Sequence, residues 1–281
     1  MPHGSRIVRA KDEAGFLKAL PKATHAIVWE FKTEWFALAP RLKALATPSA
    51  GKELLPTEGP KDVKIHFGHY HGDIIAESVA GFVLAWARGF FAVRHAPKAL
   101  TVWPRAWLSE QCTEVAGTRA VIVGYGHVGR AIGRKLSALG VEVYGLTRHG
   151  VFHSSSPIPH PSSLFSSADW LILALPSTTG TDDFLNAALI RKLSRRCVIV
   201  NVGRGNAVDE KALATALKTH RIAGAYLDVR KHEQSGAELA FGANVAELAA
   251  LPNCVLMPHS AAFSPRYVRQ CFQELKDDGI L

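Results

Sequence analysis

The sequence is poor in cysteine, the material of thiolate metal sites and disulfide frameworks. Its four cysteines, Cys112, Cys197, Cys254 and Cys271, show no CxxC spacing. Neither a zinc ribbon nor a redox dithiol is therefore expected, and no metal centre is predicted. Cys197 and Cys254 lie inside apolar, strand-like runs, where a reduced thiol behaves as a small hydrophobe; that favours a reducing compartment. Long hydrophobic runs are also missing: no stretch of about 18 apolar residues occurs. The start, MPHGSRIVRAKDE, has no apolar signal core. Neither secretion nor membrane binding is expected, and the cytoplasm is the predicted location. The net charge is +9, yet blocks of about five like charges are absent. Basic residues do not interleave with aromatics either, so nucleic acid is not an expected partner; small anions are.

What is present is ordinary globular composition, 48% hydrophobic and 20% charged, over 281 residues. That length suits two domains or one large α/β domain. No repeat is visible. Strand-like runs stand at RAVIVG (119–124), VEVYGL (141–146), DWLILAL (169–175), RCVIVNV (196–202), IAGAYLD (222–228) and NCVLM (253–257). Their nearly continuous apolar character predicts strands buried on both faces of a parallel sheet. Helical patterns lie between them. Val128, Ala131, Ile132, Leu136 and Leu139 share one face, Gly140 follows as a stop, and Asp209 is placed to cap DEKALATALKTH. The loop 148–163, Pro- and Ser-rich, reads as irregular surface.

The reading is α/β: a doubly wound parallel (Rossmann) sheet over 99–264 with a smaller α/β domain over 1–98. The remaining segment, 265–281, is expected to return to the smaller domain. In that domain HAIVWEF, LKALATP and DVKIHFG are the strand candidates. A helix opened by Asp73 and running about 24 residues, roughly 36 Å, would bridge the two domains.

Chemistry concentrates at strand ends. Gly124, Gly126 and Gly129 spell GxGxxG after a strand and before a helix, the context in which the motif seats a pyrophosphate. At the end of the next strand the ribose position carries Thr147, Arg148 and His149. No carboxylate repels a 2′-phosphate there and an arginine can pair with one, so NADP(H) is favoured, with NAD(H) the alternative. Later strands deliver Leu175-Pro176-Ser177, Gly203-Arg204-Gly205, Asp228 with Glu233, and Pro258-His259 to the edge where such sheets bind ligands. The glycines beside Arg204 are expected to let backbone pass close to nicotinamide and substrate. Trp103, Trp107 and Tyr70 are either pocket or core aromatics.

The stretches VIVGYGHVGRAIG, LALPSTTGTDDFLN, VIVNVGRGNAVDEKAL, IAGAYLDV and LPNCVLMPHSAA, in this order and spacing, resemble the D-isomer-specific 2-hydroxyacid dehydrogenase family. LKALATPSAG and HGDIIAESV resemble its substrate-side loop and interdomain helix. The resemblance implies a flavodoxin-like substrate domain, here N-terminally shortened, and a homodimer. It implies that Arg204 binds the carboxylate and oxo group of a 2-oxo acid, that His259 is the proton donor, and that Glu233 supports His259. It places the amides of His127 and Val128 at the pyrophosphate and Asp228 at the nicotinamide end. Leu175, Pro176, Thr181, Val202, Gly203, Arg204, His259 and Ala261 fall around the cofactor, and Ala50 and Gly51 at the substrate. The chain departs from the family pattern at Lys52 and after LDV, where Glu238 competes with Glu233 as the His259 partner. The implied activity is NAD(P)H-dependent reduction of a 2-oxo acid to the D-2-hydroxy acid. A non-catalytic, corepressor-like dinucleotide sensor on the same fold is the alternative.

Overall fold

The computed structural model describes residues 6–95, 103–153, 161–231 and 243–281. The chain divides into two compact units, Met1–His71 with Ser264–Leu281, and Gly72–Phe263. The division thus falls at Gly72, not near residue 98.

In the smaller unit Asp12 caps α1 (Glu13–Ala19), its Oδ1 accepting the Gly15 amide at 2.7 Å. Three parallel strands follow in spatial order: β1 (His25–Ile27), β2 (Ala44–Thr47) and β3 (Lys64–Phe67). Successive β2 residues alternate between two clusters, as the pleat requires. Leu45 joins Leu20, Phe31, Trp35 and Leu55, whereas Ala44 and Ala46 meet Cys271 and Leu275 of the C-terminal helix, Tyr267–Asp277.

The larger unit opens with α2 (Gly72–Ala87), 16 residues long. It is shorter than its apolar period suggests because Gly89, at φ +71°, closes it. The Gly89 amide donates to Trp86 O and the Phe90 amide to Ala85 O, the paired bonds of a Schellman motif. This helix groups with the larger unit because Ala76, Val79 and Val83 are buried in that unit's core. After α3 (Arg105–Gln111) comes the main sheet: β4 (Arg119–Val123), β5 (Glu142–Thr147), β6 (Gly150–His153), β7 (Trp170–Leu173), β8 (Val198–Asn201), β9 (Gly224–Leu227) and β10 (Cys254–Leu256). Its seven strands lie in the order β10-β9-β8-β7-β4-β5-β6. The chain enters at the middle, winds outward to β6, and returns beside β4 to wind the other way. All pairs are parallel except β5–β6.

Every residue of β7, β8 and β9 is buried, which is why their sequences read as unbroken apolar runs. In β4, Ala120 and Ile122 face α2 and α4 (His127–Ala138). Val121 and Val123 face the layer of α5 (Pro161–Ser167), α6 (Ala187–Ile190), α7 (Glu210–Lys218) and α8 (Ala243–Ala249). Each fully buried Leu or Ile in these layers contributes about 1.5–3 kcal/mol. Gly140, at φ +81°, ends α4, and Asp209 Oδ1 caps α7 by accepting the Ala212 amide at 3.0 Å. Strand β6 corrects the reading of 148–163 as irregular throughout. Thr147 pairs with Gly150, so Arg148 and His149 form a two-residue hairpin turn. No helix among the described residues is long and apolar enough to cross a membrane.

Candidate active site

The parallel strands of the larger sheet all end at one edge, and the expected residues of that unit leave from it. Gly124 has φ +92°, and a Cβ there would overlap Ala174 O; a Cβ on Gly129 would overlap Gly124 O. Both glycines answer to neighbouring backbone, which lets β4, β7 and α4 close on one another. Gly126 differs: nothing lies within 4 Å of where its Cβ would be. It is the N-cap of α4 and offers no side-chain oxygen to the first-turn amides. The amides of His127 and Val128 and the helix dipole therefore form an anion seat beside open ground, a fit for a pyrophosphate. The His127 ring instead turns toward Gly72, whose Cβ would meet Nε2 at 2.7 Å.

At the tip of β5, Thr147 Oγ1 accepts the His149 amide at 3.1 Å and donates to Gly150 O at 3.2 Å. Arg148 Nε donates to His149 Nε2 at 3.0 Å. The turn is exposed, and residues 147–149 contain no carboxylate. After β7, Leu175 is half-buried and Pro176 exposed; Thr181 Oγ1 donates to Pro176 O at 2.8 Å and pins that loop.

Arg204 is half-buried in extended backbone, φ −135° and ψ 147°, with Nη1 donating to Gly203 O at 3.0 Å. The loop that carries it is fixed by Asn201, which is 0% exposed. Asn201 Oδ1 accepts the Gly203 amide at 3.2 Å, and its Nδ2 donates to Arg204 O at 3.1 Å. Its own carbonyl accepts the Asp228 amide at 3.0 Å. The buried amide side chain thus braces Gly203 and Arg204, while the main chain of the same residue holds the end of β9. The sequence reading passed over Asn201; a lone amide ending the apolar run VIVN was the available sign, since a buried polar group needs partners.

Asp228, buried at 2% exposure, clamps the loop that follows β10. Its Oδ1 accepts the amides of Ser260 at 2.9 Å and Ala261 at 3.0 Å, and its carbonyl accepts the His259 amide at 2.8 Å. Burial, together with this negative charge, raises the pKa of Tyr226 on β9. His259 sits at φ +52°, a left-handed conformation unusual for a side chain with a Cβ. Ser78 Oγ holds the far side of the loop by donating to Ala261 O at 2.8 Å.

The structure therefore brings Gly124, Gly126, Gly129, Leu175, Val202, Gly203, Arg204, Asp228, His259 and Ala261 to one edge. Glu233 and Glu238 lie outside the described residues. The segment leading toward them is anchored: the Lys231 amide donates to Glu210 Oε1 at 3.0 Å, and its Nζ lies 2.7 Å from Asp183 Oδ1. That hydrogen bond raises the Lys231 pKa. Ala50 and Gly51 are in the smaller unit, where the Gly51 amide donates to Ser49 Oγ at 3.0 Å. Tyr70 packs edge-on to Tyr267, centroids 5.2 Å apart, within that unit. Trp103 is 83% exposed, and Trp107 lies on α3.

Residues 80–261 match the family model described as D-isomer specific 2-hydroxyacid dehydrogenase, NAD binding domain. The chain is 30% identical over 256 residues to a glyoxylate reductase of Thermococcus kodakarensis, covering 83% of this chain and 72% of that one. It is 29% identical over 194 residues to D-3-phosphoglycerate dehydrogenase 2 of Saccharomyces cerevisiae, spanning 66% of this chain but only 40% of that protein. Among solved structures, the NADPH-dependent glyoxylate/hydroxypyruvate reductase of Sinorhizobium meliloti, in complex with NADP and malonate, is similar with a TM-score of 0.65 and 26% identity. That likeness covers 93% of this chain and 81% of that one. The family model spans more than half of the chain and takes in the strand-end loops of the larger sheet, so the chain belongs to the D-isomer-specific 2-hydroxyacid dehydrogenase family.

Proposed function

We propose that this chain reduces a small 2-oxo acid to the D-2-hydroxy acid, with NADP(H) the favoured cofactor and NAD(H) the alternative. The observation that carries the reading is the arrival of Arg204 and His259, each on a braced loop, at the edge that also holds the open ground beside Gly126. The bound nicotinamide supplies the hydride. The chain's residues supply the rest. The amides of His127 and Val128 take the pyrophosphate, and Thr147, Arg148 and His149 the ribose end. Leu175, Pro176, Thr181, Val202, Gly203, Asp228 and Ala261 frame the cofactor. Arg204 pairs with the substrate carboxylate, since its fork donates two parallel hydrogen bonds and keeps its charge. The same charge stabilises the oxygen that becomes alkoxide-like. His259 donates the proton to that oxygen, a task suited to imidazole near neutral pH. Glu233 is the proposed partner of the protonated ring. The same reading places a homodimer in the cytoplasm.

A panel of 2-oxo acids assayed with NADPH and NADH in parallel tests it, with Arg204→Lys alongside. Turnover is expected, faster with NADPH. Arg204→Lys keeps the charge but loses the fork, so kcat/KM falls by on the order of 10–100-fold while NADPH affinity is kept. NADPH binding without turnover of any acid in the panel favours the dinucleotide-sensing alternative and overturns the enzyme reading.

A further inference from the structure

No metal site is legible in the sequence, yet the smaller unit assembles one set of ligand-type side chains among the described residues. His66 on β3 and His69 just beyond it face Glu274 on the C-terminal helix and Asp278 at its C-cap. His66 Nε2 lies 3.0 Å from Glu274 Oε1, and His66 Nδ1 lies 3.6 Å from Asp278 Oδ2. His69 Nδ1 lies 3.3 Å from Glu274 Oε2, and His69 Nε2 lies 3.9 Å from Asp278 Oδ2. One ligand atom from each of the four residues lies within 4.8 Å of all the others.

These spacings have a specific size. A tetrahedral ion with bonds of about 2.05 Å has ligand–ligand edges of about 3.3 Å. With one ligand atom from each side chain the set spans up to 4.8 Å, so an ion would draw the four side chains together. Two imidazoles and two carboxylates make a mixed nitrogen and oxygen donor set around one point.

The surroundings add support and access. The side chains of His66 and Glu274 are 11% and 9% exposed. Glu274 is steadied by the His69 amide at 3.1 Å, the outer contact that orients a ligating carboxylate. His69 and Asp278 are 50% and 38% exposed, leaving an open side for entry. An open depression of about 300 Å³ is lined in part by His69, Gln273, Asp277 and Asp278.

We propose that His66, His69, Glu274 and Asp278 bind one divalent transition-metal ion of the Zn²⁺ class. Mixed imidazole and carboxylate ligands suit this class better than Ca²⁺ or Mg²⁺. The ion fastens the C-terminal helix to the end of β3, where Cys271 and Leu275 otherwise give it a small apolar footing on Ala44 and Ala46.

The test uses the full-length, tag-free protein, stripped with a chelator and titrated with Zn²⁺ against a chromophoric competitor. Co²⁺ reports geometry, and Mg²⁺ is the control. His69→Gln and Asp278→Asn remove the two more exposed ligands, and Cys112→Ser controls for thiol binding. One equivalent of Zn²⁺ is expected to bind with a Kd below about 1 μM, with the intense visible absorption of tetrahedral Co²⁺ and a raised melting temperature. Each ligand variant is expected to weaken binding by on the order of 100-fold and to abolish the thermal shift, while Cys112→Ser does neither. Absence of stoichiometric binding, or binding unchanged in both ligand variants, overturns the proposal and leaves the cluster a histidine–carboxylate lock.

Discussion

Asp228→Ala should unseat the loop that carries His259, and the structure sets the scale. The carboxylate accepts two backbone amides, from Ser260 and Ala261, at 2.9 and 3.0 Å. Hydrogen bonds to a charged group contribute about 1.5–3 kcal/mol each, so the clamp supplies roughly 3–6 kcal/mol. Against it stands the left-handed backbone of His259 at φ +52°, which costs about 1–2 kcal/mol in a residue with a Cβ. The clamp wins by a few kcal/mol, and the loop is held. Alanine leaves one buried and one half-buried donor without their acceptor, so the loop should relax and stability should fall by about 2–4 kcal/mol. Asparagine keeps one acceptor oxygen and loses the charge. The clamp then drops to about 1–3 kcal/mol, comparable with the strain. At about 1.4 kcal/mol per tenfold, kcat for 2-oxo acid reduction should fall roughly tenfold in Asp228→Asn and further in Asp228→Ala. Urea titration and steady-state kinetics on the same preparations measure both effects. His259→Gly separates them, since it removes the strain and the proposed proton donor together and should abolish reduction without loss of stability. An Asp228→Ala protein with unchanged kcat and urea midpoint would refute the clamp.

The other glycines and side chains give sharper contrasts. Gly124→Ala, at φ +92° and against Ala174 O, should destabilise the fold; Gly126→Ala, with open space around it, should melt like the parent yet bind NADPH poorly. Equal melting temperatures for the two variants would count against that division. Arg148→Glu should weaken NADPH by on the order of 10–100-fold and leave NADH nearly unaffected in fluorescence titrations; parallel losses would remove Arg148 from the ribose end. Burial pushes the thiols of Cys197 and Cys254 up to about 12, whereas an unfolded thiol ionises near 8.5. Above that pH only the unfolded state loses these protons, so stability should fall toward pH 12 by about 1.4 kcal/mol per unit for each thiol. Cys197→Ala should flatten the decline of the urea midpoint between pH 8 and 10, and equal slopes would exclude this cause.

The six parallel strands of the large sheet were legible because burial on both faces leaves a sequence no polar alternation to hide in. RCVIVNV is the clearest case: β8 is buried at every position. Features set by single backbone torsions were harder to read. The apolar period of α2 runs on past Gly89, and only its positive φ ends the helix. Strand β6 is four residues long and depends on Gly150 reversing the chain after a two-residue turn, so composition pointed to loop. Features set by distant pairing were not legible. His66 and Glu274 are 208 residues apart in sequence yet lie within hydrogen-bonding distance, and no local pattern announces that meeting. Asn201 falls between these cases. Its identity hints at a brace, but its three partners are fixed only when the ends of β8 and β9 come together.

The glycines around Arg204 have a cause in the protein's own backbone. Read from sequence, they made room for nicotinamide and substrate. In the structure a Cβ on Gly203 would overlap the backbone of Leu175, and one on Gly205 would overlap Arg230 and Lys231. Both therefore answer to protein backbone: the loops after β7, β8 and β9 approach so closely that no side chain fits between them. Arg204 is held because its neighbours are wedged, and its extended backbone and the Asn201 brace then fix where the guanidinium starts. Gly126 differs from these two glycines, with nothing within 4 Å of its absent Cβ, and under the proposed function its smallness answers to the pyrophosphate rather than to the fold. A glycine-rich strand end thus carries two different messages, and the distance from each absent Cβ to the nearest backbone separates them.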